Sequence, residues 1–334
     1  MDAVRDVAAE VSTVPELGAE LSRRVGALVP HDGYILVGLD PVTGAGCLVD
    51  RQHCYSGALR HRLELEVFHR RRPHLFTELF AGTRTVQVIG SGFVDERRDP
   101  YLHDDLRWEG FGAELRLALR HRGVALGWMV LLREIGRRPF SAREAQVAED
   151  LTGHLAVALR AFVAAKPLRP TRPGLPTGVV VVDGRGSIAS ATAAGRSWLR
   201  TLTEDFRITD DELPVTLLNI ALIARTPGGL AVSRVPTPRG WLAISAETLD
   251  GTHDGDVAIT LRPAPGEVLL PAVCGWYGIT AGERAVVEHV LRGLPTKTVA
   301  RRLALSPHTV HDHLKSAYRK TGVAGREELL ACLG

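Results

Sequence analysis

The chain has 334 residues, a formal net charge of +3, 45% hydrophobic residues and 5% aromatic residues. This length allows two or three domains, each large enough for its own hydrophobic core. No run of 18 apolar residues and no hydrophobic signal-peptide core is present, so we expect a cytoplasmic protein with no membrane partner. The four cysteines form no CxxC pair, which predicts neither a disulfide framework nor a structural zinc site.

The first 165 residues show an order of helix, strands, helices, hairpin and long helix. The predicted elements are a helix over about 14–28, a strand over 34–39 with a turn at 40–44, a helix over 57–72, strands over 112–120 and 124–133 joined at 121–123, and a helix over 141–165. Helices at both ends of an antiparallel sheet resemble a GAF domain, which would cover about residues 10–165. The resemblance implies a small-molecule or signal-sensing role.

A proline-rich segment, residues 166–176, follows this region. Its prolines recur at every third position, which is the repeat of a polyproline II helix, so the segment is predicted to be a semi-rigid linker. A second linker is predicted over 264–276, where Ala264-Pro-Gly-Glu267 marks a boundary.

Between the two linkers, residues 177–263 form a smaller α+β pattern. The predicted elements are strands over 178–183 and 187–190, helices over 191–203 and 213–224, and strands over 230–235, 241–246 and 257–262. This order is similar to a PAS domain. A GAF-like or PAS-like sheet with its helical wall could enclose a ligand, or it could serve as a dimerisation module without one.

The last 56 residues carry the most specific pattern in the chain. Thr280-Ala-Gly-Glu283 is a capping box that opens a helix, and Gly293 ends that helix. A short second helix is predicted over about 295–303, and Ser306-Pro307 opens a third. Two short helices joined this tightly, the later one polar and cationic on its outer face, are typical of a DNA-reading unit.

The third helix has two distinct faces. The apolar stripe, which can pack on the preceding helices, consists of Val310, Leu314, Ala317 and Tyr318. The outward stripe consists of His308, His311, Asp312, Lys315 and Arg319. Such a face can offer cations to guanine edges or phosphates. Asp312 would repel phosphate, so we expect it near a base amino group or a neighbouring cation.

Residues 279–332 resemble the LuxR-type helix-turn-helix at the C-terminus of many bacterial transcription regulators. The matching stretches are Thr280-Ala-Gly-Glu283-Arg284, Gly293-Leu-Pro-Thr-Lys297-Thr-Val-Ala300, Leu303-Ala-Leu-Ser306-Pro-His-Thr309-Val310, His313-Leu314, Tyr318-Arg-Lys320-Thr-Gly322-Val323 and Arg326-Glu-Glu-Leu329. The resemblance implies that Lys297 and Thr309 touch the DNA backbone and that His311, Asp312 and Lys315 face bases, while His313 supports the helix. Pro295-Thr296 stands where the family usually has Ser or Asn.

Charge is concentrated in the same segment. Residues 279–334 hold nine Lys/Arg and five Asp/Glu, a net charge of +4, against +3 for the whole chain. Residues 1–278 therefore sum to about −1. A positive excess confined to the last sixth of the protein is what a phosphate-binding module requires.

Other chemistry has weak support in the sequence. His53-Cys54, His61, His69 and His74 match no metal-site spacing, and no complete nucleotide-binding glycine motif is present. We therefore predict no metal site and no catalytic residues, and no cofactor can be named. Two alternative functions stay open: an enzyme activity within residues 10–165, and a protein-interaction role in which DNA binding is secondary.

The predicted protein is a multidomain, sequence-specific DNA-binding transcription regulator. Its domains are GAF-like (1–165) and PAS-like (177–263) α+β sensory domains followed by an all-α four-helix LuxR-type domain (277–334). The predicted DNA-binding residues are Lys297, His308, Thr309, His311, Asp312, Lys315 and Arg319. We expect double-stranded DNA, a second copy of the chain, a small-molecule effector and RNA polymerase as partners. The candidate dimer helices are 141–165, through a stripe from Ala148 to Phe162, and 325–333.

Overall fold

The computed structural model describes residues 7–68, 76–90, 100–170, 176–206, 215–226, 228, 231–237, 240–250 and 255–333. We name three regions within them: an N-terminal region (7–165), a middle region (176–263) and a C-terminal region (279–333). No helix of this described part is both long and apolar enough to cross a bilayer.

The N-terminal region contains a five-stranded antiparallel sheet of order β2-β1-β5-β4-β3. Its elements are α1 (Val7–Glu10), α2 (Val14–Gly26), β1 (Gly33–Leu39), β2 (Gly46–Gln52), α3 (Gly57–Phe68), α4 (Thr77–Ala81), β3 (Val86–Gly90), α5 (Pro100–Trp108), β4 (Phe111–His121), β5 (Val124–Glu134) and α6 (Ala142–Ala164). The predicted first helix, first strand, hairpin and long helix are all present. The helix predicted over 57–72 ends at Phe68 among the described residues.

Both faces of this sheet are covered, which explains why β1 is buried along its whole length and β4 and β5 along most of theirs. Along β4, Leu115, Leu117 and Leu119 belong to a core that includes α6. Ala118, on the alternate face, belongs to a second core with α3, α4 and α5. Glu114 and Arg116 also lie on that alternate face, paired at 2.5 Å and almost fully buried.

The apolar stripe of α6 packs inside its own chain. Its buried residues include Ala148, Leu151, Leu155, Ala158, Leu159 and Phe162. The helix packs chiefly on β4, with further contacts to α1 and to α9 (Gly266–Tyr277). The stripe expected as a candidate dimer contact is therefore used within the chain, and a dimer contact through it would require this core to open.

The middle region contains a second five-stranded antiparallel sheet, of order β7-β6-β10-β9-β8. Its elements are β6 (Gly178–Val182), β7 (Ile188–Ala191), α7 (Ala193–Phe206), α8 (Val215–Arg225), β8 (Val232–Thr237), β9 (Gly240–Thr248) and β10 (Val257–Pro263). Every strand predicted here is present, although the predicted turn at 238–240 falls partly outside the described residues. The two sheets share one order, in which the first and fifth strands pair at the centre.

The segment predicted as a second linker is a buried helix, α9 (Gly266–Tyr277). Its apolar residues Leu269, Ala272 and Trp276 are almost fully buried, and it packs against α6, β9 and the last helix, α13 (Arg326–Leu333). Proline and glycine disfavour helix interiors, so Pro271 and Gly275 argue against a helix in the sequence. Burial of the remaining apolar side chains outweighs that local cost.

The first part of the proline-rich linker is held against the C-terminal region. Leu168 is fully buried, its N–H donates to the Thr321 carbonyl at 2.8 Å, and its carbonyl accepts from Cys332 Sγ. Tyr277 Oη also donates to the Lys166 carbonyl at 2.9 Å. Residues 166–170, which we call the strap, are therefore hydrogen-bonded both to α9 and to the C-terminal region. Residues 171–175 lie outside the described part of the chain.

A buried ion pair joins the N-terminal and middle regions. Asp40 Oδ2 lies 2.8 Å from Arg234 Nη1 and accepts the Arg234 backbone N–H at 3.0 Å, while Asp40 Oδ1 accepts from Val42. Arg234 Nε donates in turn to the Val268 carbonyl in α9. Residues of all three regions contribute to one hydrophobic core, while two further cores lie within the N-terminal and the C-terminal region.

Candidate nucleic-acid interface

The C-terminal region is a bundle of four short helices. They are α10 (Ala281–Leu291), α11 (Thr296–Arg302), α12 (Pro307–Thr321) and α13 (Arg326–Leu333). The capping box predicted at Thr280 and Glu283 is formed, and Ser306 accepts the Thr309 N–H at the start of α12. The starts of the four helices and the ends of α10, α11 and α13 agree with the helices predicted from sequence to within two residues.

A small apolar core fixes α12 against the two preceding helices. Its fully buried members are Val286, Val290, Val299 and Val310, with Ala300 and Leu314 nearly so. The turn between α11 and α12 is tight: the Leu305 N–H donates to the Ala300 carbonyl at 2.9 Å, and Ala304 takes a left-handed φ of 53°. This packing fixes the angle between α11 and α12 and therefore the direction in which the outer face of α12 points.

The outward stripe predicted on α12 is exposed to solvent. His308, His311, Asp312, Lys315 and Arg319 are all exposed, whereas Val310, Leu314, Ala317 and Thr321 are buried on the opposite side. His308 Nε2 lies 3.5 Å from Asp312 Oδ2, so the cation expected beside this aspartate is the histidine one turn before it, when protonated. The structure thus brings five of the seven predicted DNA-binding residues onto one helix face.

The other two predicted residues occupy helix starts. Thr309 is half-buried in the first turn of α12, where its Oγ1 lies 2.9 Å from Ser306 Oγ. Lys297 is exposed in the first turn of α11, and Pro295 is the residue that precedes this helix. His313, which the resemblance implies supports the helix, is partly buried beside Gly282 of α10.

An ion pair that joins the capping box to the end of α12 was not anticipated. Lys320 Nζ lies 2.6 Å from Glu283 Oε2 and also donates to the Gly278 carbonyl. Burial alone would raise the pKa of Glu283, but hydrogen bonds from Lys320 and the Thr280 backbone outweigh it and lower this pKa to about 2. Lys320 is therefore used inside the bundle, although its charge resembles that of the outward cations.

The N-terminal histidines lie apart from this region. His53 contacts Glu134 at 2.8 Å and His61 contacts the Arg185 carbonyl at 2.7 Å, while His69 and His74 lie outside the described residues. No group of three metal-binding side chains occurs in the part of the chain that the structure describes. The N-terminal region also has a polar surface groove, which is lined by Ser22, Arg23, Gly26, His31, Asp32, Tyr34, Gln52 and His53.

Comparison with known families places the C-terminal segment. Residues 278–333 match the family model for bacterial regulatory proteins of the luxR family. Proteins of Mycobacterium bovis and Mycobacterium tuberculosis, named as HTH-type transcriptional regulators, are 46% identical over 56 residues. These matches cover 17% of this chain and 6% of the relatives, so the similarity concerns the helix-turn-helix segment and only a small fraction of the relatives' length.

Similar solved structures include both regulators and GAF domains. Escherichia coli SdiA has 14% identity and a TM-score of 0.37, with 98% of this chain and 91% of that chain covered. An N-acylhomoserine lactone dependent LuxR family transcription factor from Burkholderia cenocepacia has 18% identity and a TM-score of 0.36, with 48% and 92% covered. A GAF domain/HD domain protein from Geobacter sulfurreducens has 16% identity and a TM-score of 0.28, with 45% and 93% covered.

Proposed function

We propose that this protein is a sequence-specific, DNA-binding transcription regulator that reads double-stranded DNA with the outer face of α12. The observation that carries the proposal is the placement of His308, Lys315 and Arg319, exposed on the side of α12 opposite its buried stripe. In a helix-turn-helix, the second helix of the pair enters the major groove and its exposed side chains reach base edges. The luxR-family match of residues 278–333 supports the same function.

We assign different tasks to the residues of this interface. Lys315 and His311 are assigned to base contacts, and Asp312 is assigned to accept from a cytosine amino group, because carboxylates in a groove pair with that donor. Lys297 and Thr309, at the starts of α11 and α12, are placed to contact phosphates, where exposed helix N-termini favour anions.

The regulator is proposed to act as a homodimer whose N-terminal and middle regions, GAF-like and PAS-like, perceive a small-molecule or protein signal. A single unit of this size buries little DNA surface, so specificity requires two half-sites. A signal would favour the dimer geometry whose half-site spacing fits DNA. RNA polymerase is the partner expected on the resemblance to LuxR-type regulators.

Substitution of Lys315 tests the proposal directly. DNA recovered by genome-wide pull-down with the purified protein supplies the duplex, and fluorescence anisotropy supplies the affinity. Lys315→Ala should weaken binding by roughly 1–3 kcal/mol and relax the preference at one base position. Arg262→Ala is the matched control, because it removes an equally exposed cation from β10, outside the C-terminal region. Equal binding by Lys315→Ala and the parent would show that the assigned face does not read DNA.

A further inference from the structure

The cations of the C-terminal region divide into those that the fold uses and those that it leaves unpaired. Arg284 pairs with Glu288 at 2.7 Å, Lys320 pairs with Glu283, and Arg326 donates to the Leu294 carbonyl at 2.9 Å. Arg319 contacts only the uncharged Ser316 hydroxyl, at 3.3 Å. Within the described residues, no side-chain hydrogen bond or ion pair engages Arg292, Lys297, Arg301, Arg302 or Lys315.

Arg301 shares an exposed helix face with Lys297. The two residues are four positions apart on α11, so their side chains project from the same side, one turn from each other. Val299 and Ala300 are buried and fix which side of α11 faces the bundle. At about 100° per residue, Arg301 lies about 40° from Lys297 around the helix, and Arg302 lies about 140° from it.

We infer that Arg301 is a second phosphate-contacting residue on α11, acting beside Lys297. The inference rests on the proposed function, because Lys297 defines the side of α11 that meets DNA. A guanidinium can hold a phosphate through two parallel hydrogen bonds, which an unpaired, exposed arginine can do without breaking an existing contact. Arg301 would extend the interface along α11 toward the turn that precedes α12.

A competing explanation treats both arginines alike. Cations in the last turn of a helix interact favourably with its C-terminal carbonyls and dipole, and Arg301 and Arg302 both occupy the last turn of α11. This explanation predicts similar effects of the two residues on stability and none on DNA affinity. The phosphate contact predicts instead that only Arg301 changes DNA binding, so Arg302 is a control with the same charge, exposure and helix end.

The test is a salt titration of DNA affinity with full-length protein and the duplex recovered by the genome-wide pull-down. Arg301→Ala should reduce the slope of log affinity against log salt by about one and weaken binding by about fivefold at 0.15 M salt. Arg301→Lys should keep the parent slope, since it keeps the charge. Arg302→Ala should bind like the parent, and thermal melting should show all variants folded.

The possible failures are distinct. If Lys297→Ala and Lys315→Ala weaken binding while Arg301→Ala does not, the role of Arg301 is wrong and the proposed function stands. If Arg301→Ala and Arg302→Ala cause equal losses, the effect is general attraction rather than a contact, and the inference again fails. If none of the four substitutions changes DNA binding, both the inference and the proposed function are overturned.

Discussion

At the scale of single residues, the turn between β4 and β5 contains a residue, Arg122, that is unfavourable at its position. Arg122 and Gly123 form this two-residue turn with φ values of 50° and 81°, so both residues are left-handed. Such turns favour Asn-Gly, because an arginine side chain is strained at positive φ. We expect Arg122→Asn to raise the free energy of unfolding by about 0.5–1 kcal/mol in urea titrations. Arg122→Val should lower it; a gain from valine would contradict the turn geometry.

The Glu283–Lys320 pair predicts a dependence on pH. The pKa of Glu283 is lowered to about 2 in the folded protein, so the carboxylate stabilises the fold above its ordinary pKa of about 4.3. That contribution is lost as the pH falls toward 2. We expect Glu283→Gln to cost about 1–3 kcal/mol at pH 7 in urea unfolding, and less at pH 3.

Glu288→Gln is the matched control for this pair, because it neutralises a glutamate of the same helix whose partner, Arg284, is exposed. Exposed pairs of this type contribute roughly 0.3–0.5 kcal/mol. Two outcomes would refute the role assigned to the Glu283–Lys320 pair. One is an equal loss of unfolding free energy from the two substitutions, and the other is a loss from Glu283→Gln that does not diminish at pH 3.

At the scale of elements, the contact of α9 with α13 depends on a glycine. A Cβ placed on Gly266 would lie 1.6 Å from the Leu333 carbonyl oxygen, so any side chain there must displace one of the helices. We expect Gly266→Ala to lower the free energy of unfolding by about 1–3 kcal/mol. Gly153→Ala is the control on α6, where nothing lies within 4 Å, and it should stabilise by up to about 1 kcal/mol. Thermal melting compares the two, and similar shifts would argue against the close contact.

The elements also show what could be predicted from the sequence. Hairpins and capped helices depend on neighbouring residues, so the β4–β5 hairpin, the Ser141 cap of α6 and the Thr280 capping box were predicted correctly. The helix α9 was missed because its local signals, Pro271 and Gly275, oppose the helix that tertiary packing imposes. Likewise, the strap was predicted as a spacer because the partner of Leu168 lies more than 150 positions away, at Thr321.

The outward face of α12 was predictable for a different reason. Its side chains have few packing requirements, so the helical periodicity alone separates them from the buried stripe. Lys320 shows the limit of that approach, since charge alone could not distinguish a cation paired inside the bundle from one left in solvent.

At the scale of the whole molecule, the buried ion pair of Asp40 and Arg234 joins the N-terminal and middle regions, and its two residues are 194 positions apart in the chain. Removing one charge leaves the other buried without its counter-ion, so Asp40→Asn should cost about 3–5 kcal/mol. Because one hydrophobic core includes residues of all three regions, we expect one coincident urea transition for the parent, by tryptophan fluorescence and by circular dichroism. Asp40→Leu combined with Arg234→Met should recover part of the loss. Two separated transitions in the parent would contradict a shared core.

The strap has a consequence for transplanting the reading unit onto other proteins. An exchanged C-terminal segment would have to offer a carbonyl to the Leu168 N–H and a helix end that packs closely on Gly266 of α9. A foreign helix-turn-helix lacking these would leave apolar surface uncovered on its host, which favours aggregation. Recombination that joins a new C-terminal region to this chain would therefore succeed when the crossover also carries matching residues for the strap and α9.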